Sequence, residues 1–260
     1  MNTVEMAFES FGEQHDGCPL IILHGFFASS RNWRSIARQL AVHCRVYVLD
    51  MRNHGESPHH QHMDYPSMAA DVLKFMDGQQ IETAHLLGHS MGGKIAMWFA
   101  LQYPQRLEQL IVVDIAPVSY QHSFDQTINA LKDLPLSELS NRKQAEEWLS
   151  AAISDLSYRQ FLLQNLLFEA GEYRWRVNLD YFHGNARYIV EFPEPVALAV
   201  YARPALFLAG EHSQYISPDA VYRLFPQAVI KEIADAGHWL HVDAPQLFYQ
   251  EVCDWLRLRD

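Results

Sequence analysis

Short apolar runs alternate with longer stretches of helical period along the first half of the chain: LIILHG, NWRSIARQLA, RVYVLD, SMAADVLKFMDG, AHLLGHS, MGGKIAMWFALQYP and LIVVDIAP. Runs of four to seven apolar residues without alternation suit strands covered on both faces, and the intervening stretches suit crossover helices, so the pattern predicts a mostly parallel sheet. In the second helical stretch Met68, Val72, Phe75 and Met76 fall at i, i+4, i+7 and i+8, one apolar stripe for packing on that sheet. After Pro117 the rhythm stops. Residues 118–202 show helical patterns (NRKQAEEWLSAAI, SYRQFLLQNLLFEA) and an aromatic stretch, EYRWRVNLDYF, with no sheet-like run, which predicts an inserted helical lid. ALFLAG and VIKEIAD resume the sheet. A last helix closes it with Phe248, Val252, Trp255 and Leu256 as its stripe. The expected organisation is α/β, with a core of residues 1–117 and 203–260 and a lid of residues 118–202.

Composition narrows the partners. With 260 residues and 49% apolar residues the chain can bury a large core. A formal net charge of -11 and the lack of any basic run argue against nucleic acid. The opening MNTVEMAFESFGEQHDG has neither a basic start nor an apolar stretch, so the expectation is that the mature protein begins there. No run approaches the roughly 18 to 20 apolar residues of a membrane span. Three cysteines, Cys18, Cys44 and Cys253, at no motif spacing fit a reducing compartment, and a cytoplasmic location is expected. The oligomeric state is not encoded in any recognisable pattern.

The chemistry concentrates at Gly88-His89-Ser90-Met91-Gly92, between an apolar strand and a helix-forming run. This G-x-S-x-G pattern is a nucleophile elbow: a turn so tight that the serine is strained and only glycine fits at its flanks. The Met91 amide at the following helix N-terminus is then free to bind an oxyanion. A second donor is expected from His24-Gly25-Phe26-Phe27 after an earlier strand, with the backbone N–H of Phe26 as candidate; core packing of Phe26 and Phe27 is compatible with that role. For the base, IADAGHWLH places His238 after Gly237 at the end of the last strand, with His241 as rival on a helix face.

HGFFAS, DMRNHGESP, GHSMGGK, VDIAPV, the lid segments RQFLLQNL and WRVNLD, and AGHWLH together resemble the α/β-hydrolases, most closely a group of small esterases. The resemblance spans nearly the whole chain. It implies an α/β-hydrolase sheet with a helical cap, no cofactor, and hydrolysis of carboxylic esters of short to medium acyl chains or of acyl thioesters. A carbon–carbon bond hydrolase with the same triad, or a non-catalytic binding protein on this fold, remains open; Ser90 at the elbow excludes the dehalogenase variant, which needs aspartate there. In that family the triad acid usually follows the strand that here reads LFLAG, yet Ser213 occupies the expected place, with Glu211 closer to the strand. Asp114 ends the neighbouring run LIVVD, at the sheet edge where ligand sites form, and is the favoured acid. Glu211, Asp180 in the lid, Asp219 as a helix cap and Asp235 as a turn residue stay as rivals.

Two further clusters bear on the reading. His60-Gln61-His62-Met63-Asp64 has the spacing of a zinc-binding H-x-H-x-D motif, but Tyr65 stands where a ligand histidine belongs, so a solvated loop and no metal are expected. Asp50, Arg52 and Ser57 read as structural, Arg52 with a lesser claim on substrate. Lid aromatics (Trp148, Phe161, Phe168, Tyr173, Trp175, Tyr181, Phe182) suit an acyl pocket or simply pack the lid, and the lid cations Arg142, Lys143, Arg159, Arg174 and Arg176 suit a solvated face or an acyl-CoA phosphate.

Overall fold

The computed structural model describes residues 2–194 and 200–258. Residues 195–199 of the expected lid and 259–260 of the expected core lie outside the described residues.

Seven strands form the main sheet: β1 (Phe8–Phe11), β2 (Leu20–Leu23), β3 (Val46–Leu49), β4 (Ala84–His89), β5 (Leu107–Val113), then, much later in the chain, the strands Ala205–Gly210 and Ala228–Ile233. A separate antiparallel hairpin comes between them, β6 (Leu166–Glu169) and β7 (Glu172–Trp175), so the last two sheet strands are β8 and β9. The sheet order is β1-β3-β2-β4-β5-β8-β9, with every pair parallel except β1 on β3. Successive side chains leave a strand on opposite faces. Ile21, Leu23, Leu110 and Val112 accordingly join one core, and Leu20, Ile22, Ile111 and Val113 the other. Both faces are covered, which is why these strands read as unbroken apolar runs.

Helices α1 (Arg34–Leu40), α2 (Tyr65–Gly78) and α3 (Met91–Gln102) are the crossovers of the first half. The predicted stripe of α2, Met68, Val72, Phe75 and Met76, is buried in the first core. Between β5 and β8 lie α4 (Asp125–Lys132), α5 (Arg142–Leu149), α6 (Leu156–Leu163) and α7 (Leu179–Val190); α8 (Pro218–Leu224), α9 (Leu240–Asp243) and α10 (Pro245–Leu256) follow β8 and β9.

Two readings need correction, and one strand goes unpredicted. The stretch LLFEAGEYRW is strand, where a purely helical insert is expected: Ala170 and Gly171, at φ 52° and 87°, make the two-residue turn with left-handed central residues that a twisted hairpin favours. β1 goes unpredicted because it is a half-exposed edge strand of only four residues, FESF. Asp219 does not cap α8; Ser217 is at the cap position and Asp219 lies in the first turn, where its charge complements the helix dipole.

Loops at the carboxyl edge are fixed by buried polar groups. Arg52 and Asp71 form an ion pair with no exposure at either side chain, at 2.6 Å from Nε and 2.8 Å from Nη2. Arg52 also donates to the carbonyls of Asn2, His62 and Ser67, and Asp71 accepts the Val4 amide, so one pair ties the N-terminal segment, the loop before α2 and α2 itself. Asp50 accepts the amides of Ser30 and Glu56, and Ser57 donates to the Asp50 carbonyl. All three residues expected to be structural are so engaged. Replacing Asp71 by leucine strands a buried guanidinium and is expected to lower unfolding free energy by about 3–5 kcal/mol, read as a shift of the urea midpoint.

Candidate active site

Ser90 stands between β4 and α3 at φ 53° and ψ -116°. Its strain is enforced by close backbone approach on both sides: a Cβ on Gly88 would lie 2.1 Å from the Gly92 carbonyl oxygen, and one on Gly92 would lie 2.2 Å from that of Leu23. No other residue type fits either place. The Ser90 amide donates to the Val113 carbonyl at 3.1 Å, which pins the elbow to the end of β5.

Asp114 directly follows that strand. It is fully buried, at φ 50°, and its amide donates to Leu208 on β8. Its carboxylate accepts three hydrogen bonds: Oδ1 from the Gly210 amide at 3.1 Å, Oδ2 from Ser213 Oγ at 2.5 Å and from His238 Nδ1 at 2.7 Å. A carboxylate at Nδ1 fixes the proton there and leaves Nε2 as the basic nitrogen. Ser213, at the position where the acid is usual, thus donates to the carboxylate that stands one strand over. His238 is further held by its carbonyl, which accepts from His89 Nε2 at 2.8 Å, and by Tyr215, whose ring lies 4.4 Å from the imidazole.

The rival residues are engaged elsewhere. Glu211 accepts the Asp235 amide at 2.8 Å, and Asp235 occupies a turn at φ 57°. Asp180 pairs with Lys132 at 2.7 Å on the surface. His241 is buried on α9 and stacked on Trp33 at 4.1 Å, where burial and neighbouring His238 push its pKa down to about 3. In the H-x-H-x-D stretch, Asp64 caps α2 through the Ser67 amide and the His62 amide donates to His60 Nδ1, a loop arrangement. Among the described residues, Glu211, His212 and Asp235 are exposed and their ligand atoms approach closely enough to hold a cation.

In the same cleft as Ser90, the Phe26 amide donates to nothing among the described residues, and the Met91 amide opens α3, where helix N–H groups lack internal partners. The loop carrying Phe26 is braced by two histidines that sequence patterns do not single out. His24 Nε2 accepts the Met51 amide at 3.0 Å while Nδ1 donates to the Gly25 carbonyl, and His54 Nε2 accepts the Phe27 amide at 3.3 Å while Nδ1 donates to the Arg52 carbonyl. Each must be neutral to accept, and burial lowers the pKa of both. From the other side Asn165, just after α6, donates to the Phe27 carbonyl at 2.8 Å. Only the partners reveal these roles, because each bond runs to the backbone.

Ser90, His238, Phe26 and Met91 line a cleft of about 420 Å³. Its walls include Phe124, Tyr158 and Phe161 from the insert and Tyr215 and Trp239 from the core. Of the aromatics expected to form an acyl pocket only Phe161 does so. Trp148 and Phe168 are exposed, and Phe182 is buried against Phe26 at 4.5 Å. Lys94, one turn after Ser90, is buried and donates to the carbonyls of Val190 and Glu191 at the end of α7, at 2.7 and 2.9 Å. Burial pushes its ammonium down to about 7. A lone lysine in an apolar helix is the signal it leaves in the sequence.

The α/β hydrolase fold family model matches residues 19–245. The chain is 40% identical to the sn-1-specific diacylglycerol lipase ABHD11 of Xenopus tropicalis, over 97% of this chain and 82% of the relative. It is 35% identical to the esterase YbfF of Escherichia coli K12, over 94% of each. A solved structure described as a marine microorganism esterase superposes with a TM-score of 0.92 at 41% identity, covering 97% of this chain and 99% of that one. By sequence and by architecture, the chain belongs to the α/β-hydrolase fold family.

Proposed function

We propose that the chain is a serine esterase that cleaves carboxylic esters of short to medium acyl chains through an acyl-enzyme on Ser90. Hydrolysis of esters is the coarser reading, supported by relatives named esterase and lipase. The finer one is carried by the contact of His238 Nδ1 with the buried Asp114, beside a strained serine in the same cleft.

His238 Nε2 takes the proton of Ser90 Oγ, and the oxygen attacks the ester carbonyl carbon. The developing oxyanion accepts from the amides of Phe26 and Met91. As the tetrahedral intermediate collapses, the imidazolium gives its proton to the departing alkoxide, and an alcohol leaves. Water, deprotonated by the same nitrogen, then attacks the acyl-enzyme and releases the acid. Asp114 holds the imidazole in the required tautomer and stabilises its charged form. No step calls for a cofactor or metal. Residues 118–202 act as a lid whose Tyr158 and Phe161 bound the acyl chain, and a thioester of similar size could use the same groups. The three free cysteines accord with work in a reducing compartment such as the cytoplasm.

The deciding experiment is a hydrolysis screen of p-nitrophenyl esters of graded chain length, run beside labelling with a fluorophosphonate probe. Ser90→Ala is expected to remove labelling and to lower kcat by roughly 10⁴-fold or more, with turnover by the parent unaffected by chelators. Labelling that survives Ser90→Ala would remove the acyl-enzyme from the account.

The position of the acid gives a second prediction. Asp114→Asn is expected to lower kcat by about 10⁴-fold, while Glu211→Gln and Asp180→Asn stay within about tenfold. Since Ser213 Oγ and His238 Nδ1 both reach the same Asp114 oxygen, Ser213→Asp in the Asp114→Asn background is expected to restore part of the rate. Ser213→Asp alone crowds two carboxylates, raising the pKa of one, and is expected to lower activity instead.

A further inference from the structure

A second cavity, of about 300 Å³, adjoins the cleft and shares Phe27, Asn32 and Gln164 with it. Three arginines line it: Arg31 from the loop after β2, Arg142 at the start of α5, and Arg176 directly after β7. The Arg176 side chain is only 9% exposed; its Nη1 donates to Glu56 Oε1 at 2.7 Å, but its buried Nε–H has no partner among the described residues. Arg31 reaches the same Glu56 oxygen at 3.3 Å. Arg142 spends its guanidinium on the carbonyls of Leu163 and Leu166, which are uncharged.

Arg31 and Arg176 share the Glu56 carboxylate and Arg142 contacts only carbonyls, so guanidinium donors outnumber the carboxylates paired with them at this cavity, in a chain whose formal net charge is -11. Burying an N–H without an acceptor is costly, and burying it on a cation beside another cation more so. Burial, followed by the nearness of Arg31, disfavours the charged form of Arg176. An anion with several acceptor oxygens would offset the crowding of positive charge, and guanidinium forks match phosphate geometry. Glu56, largely exposed, holds part of the place meanwhile.

We propose that this cavity binds a phosphate group, whose charge of about -2 at neutral pH and several acceptor oxygens suit the excess of guanidinium donors that line it. The group comes either on the alcohol portion of a substrate bound in the adjoining cleft or as free phosphate. Binding itself does not depend on what Ser90 does; its use by a substrate rests on the esterase reading.

Calorimetric titration with inorganic phosphate, on protein carrying Ser90→Ala so that no turnover intervenes, reads the site directly. Saturable binding is expected. Arg176→Gln should weaken it about tenfold, the scale of one charge-assisted hydrogen bond, and Glu56→Gln should tighten it by removing the competing carboxylate. With Ser90 intact, 1-butyrylglycerol 3-phosphate and 1-butyrylglycerol, which differ only in the phosphate, separate the two sources. For a substrate phosphate, Arg176→Gln raises KM about tenfold for the phosphorylated ester alone. For a free ion, the substitution leaves both esters alike. Unchanged turnover of the neutral ester reports that the variant is folded, and Glu56→Gln supplies the independent check. Absence of saturable phosphate binding, or binding indifferent to both substitutions, overturns the proposal. Failure of the esterase reading would show separately, as loss of turnover on both esters with the calorimetry intact.

Discussion

The site depends on one constraint: β4, β5 and β8 run parallel and side by side, so their carboxyl ends deliver Ser90, Asp114 and Gly210 to one edge. Each strand end is tied to the next by a single backbone bond, Ser90 to Val113 and Asp114 to Leu208. At both ties the chain turns at once into the left-handed region, at φ 53° and 50°. These turns cost free energy for non-glycine residues and persist only where surrounding packing determines them. Here that packing is the two-sided apolar core beneath the strands, which holds the serine and the carboxylate against relaxation.

Polar groups buried around this edge hold loops more than strands. Arg52 with Asp71, His24, His54, Asn165 and Lys94 spend most of their hydrogen bonds on backbone amides and carbonyls of irregular segments. Such segments cannot satisfy their own backbone as a sheet does, so a side chain must supply the partner. The loop that carries Phe26 is gripped by His54 from the segment after β3 and by Asn165 from the segment after α6, so its geometry depends on residues far apart in the chain.

What the sequence disclosed follows the same division. Parallel strands were legible because burial on both faces leaves an unbroken apolar run, and the elbow because its geometry admits only glycine at Gly88 and Gly92. Asp114 stood out as the favoured acid because the usual acid position carries Ser213 and Asp114 ends the neighbouring strand at the same edge, while Glu211, Asp180, Asp219 and Asp235 remained as rivals in the sequence. The hairpin was hidden because its strands are four residues long and begin where helix α6 has just ended. β1 was hidden because an edge strand with polar, half-exposed positions has no distinctive pattern. The bracing histidines, and the support Ser213 gives Asp114, leave no periodic trace, since each depends on a partner brought near by the fold.

His238 is unlike the other two members of the constellation in where it is carried. It follows β9, which ends the sheet and has one bonded neighbour, whereas Ser90 and Asp114 follow strands bonded on both sides. Edge elements open more readily than central ones in sub-global fluctuations. The histidine loop is therefore the member with the least support from the sheet, held by the His89 bond to its carbonyl and the Gly237 amide on Asp243. A disturbance at that edge of the sheet would thus reach the proposed base before it reaches the nucleophile or the acid, with the single bond to Asp114 left to hold the imidazole in line.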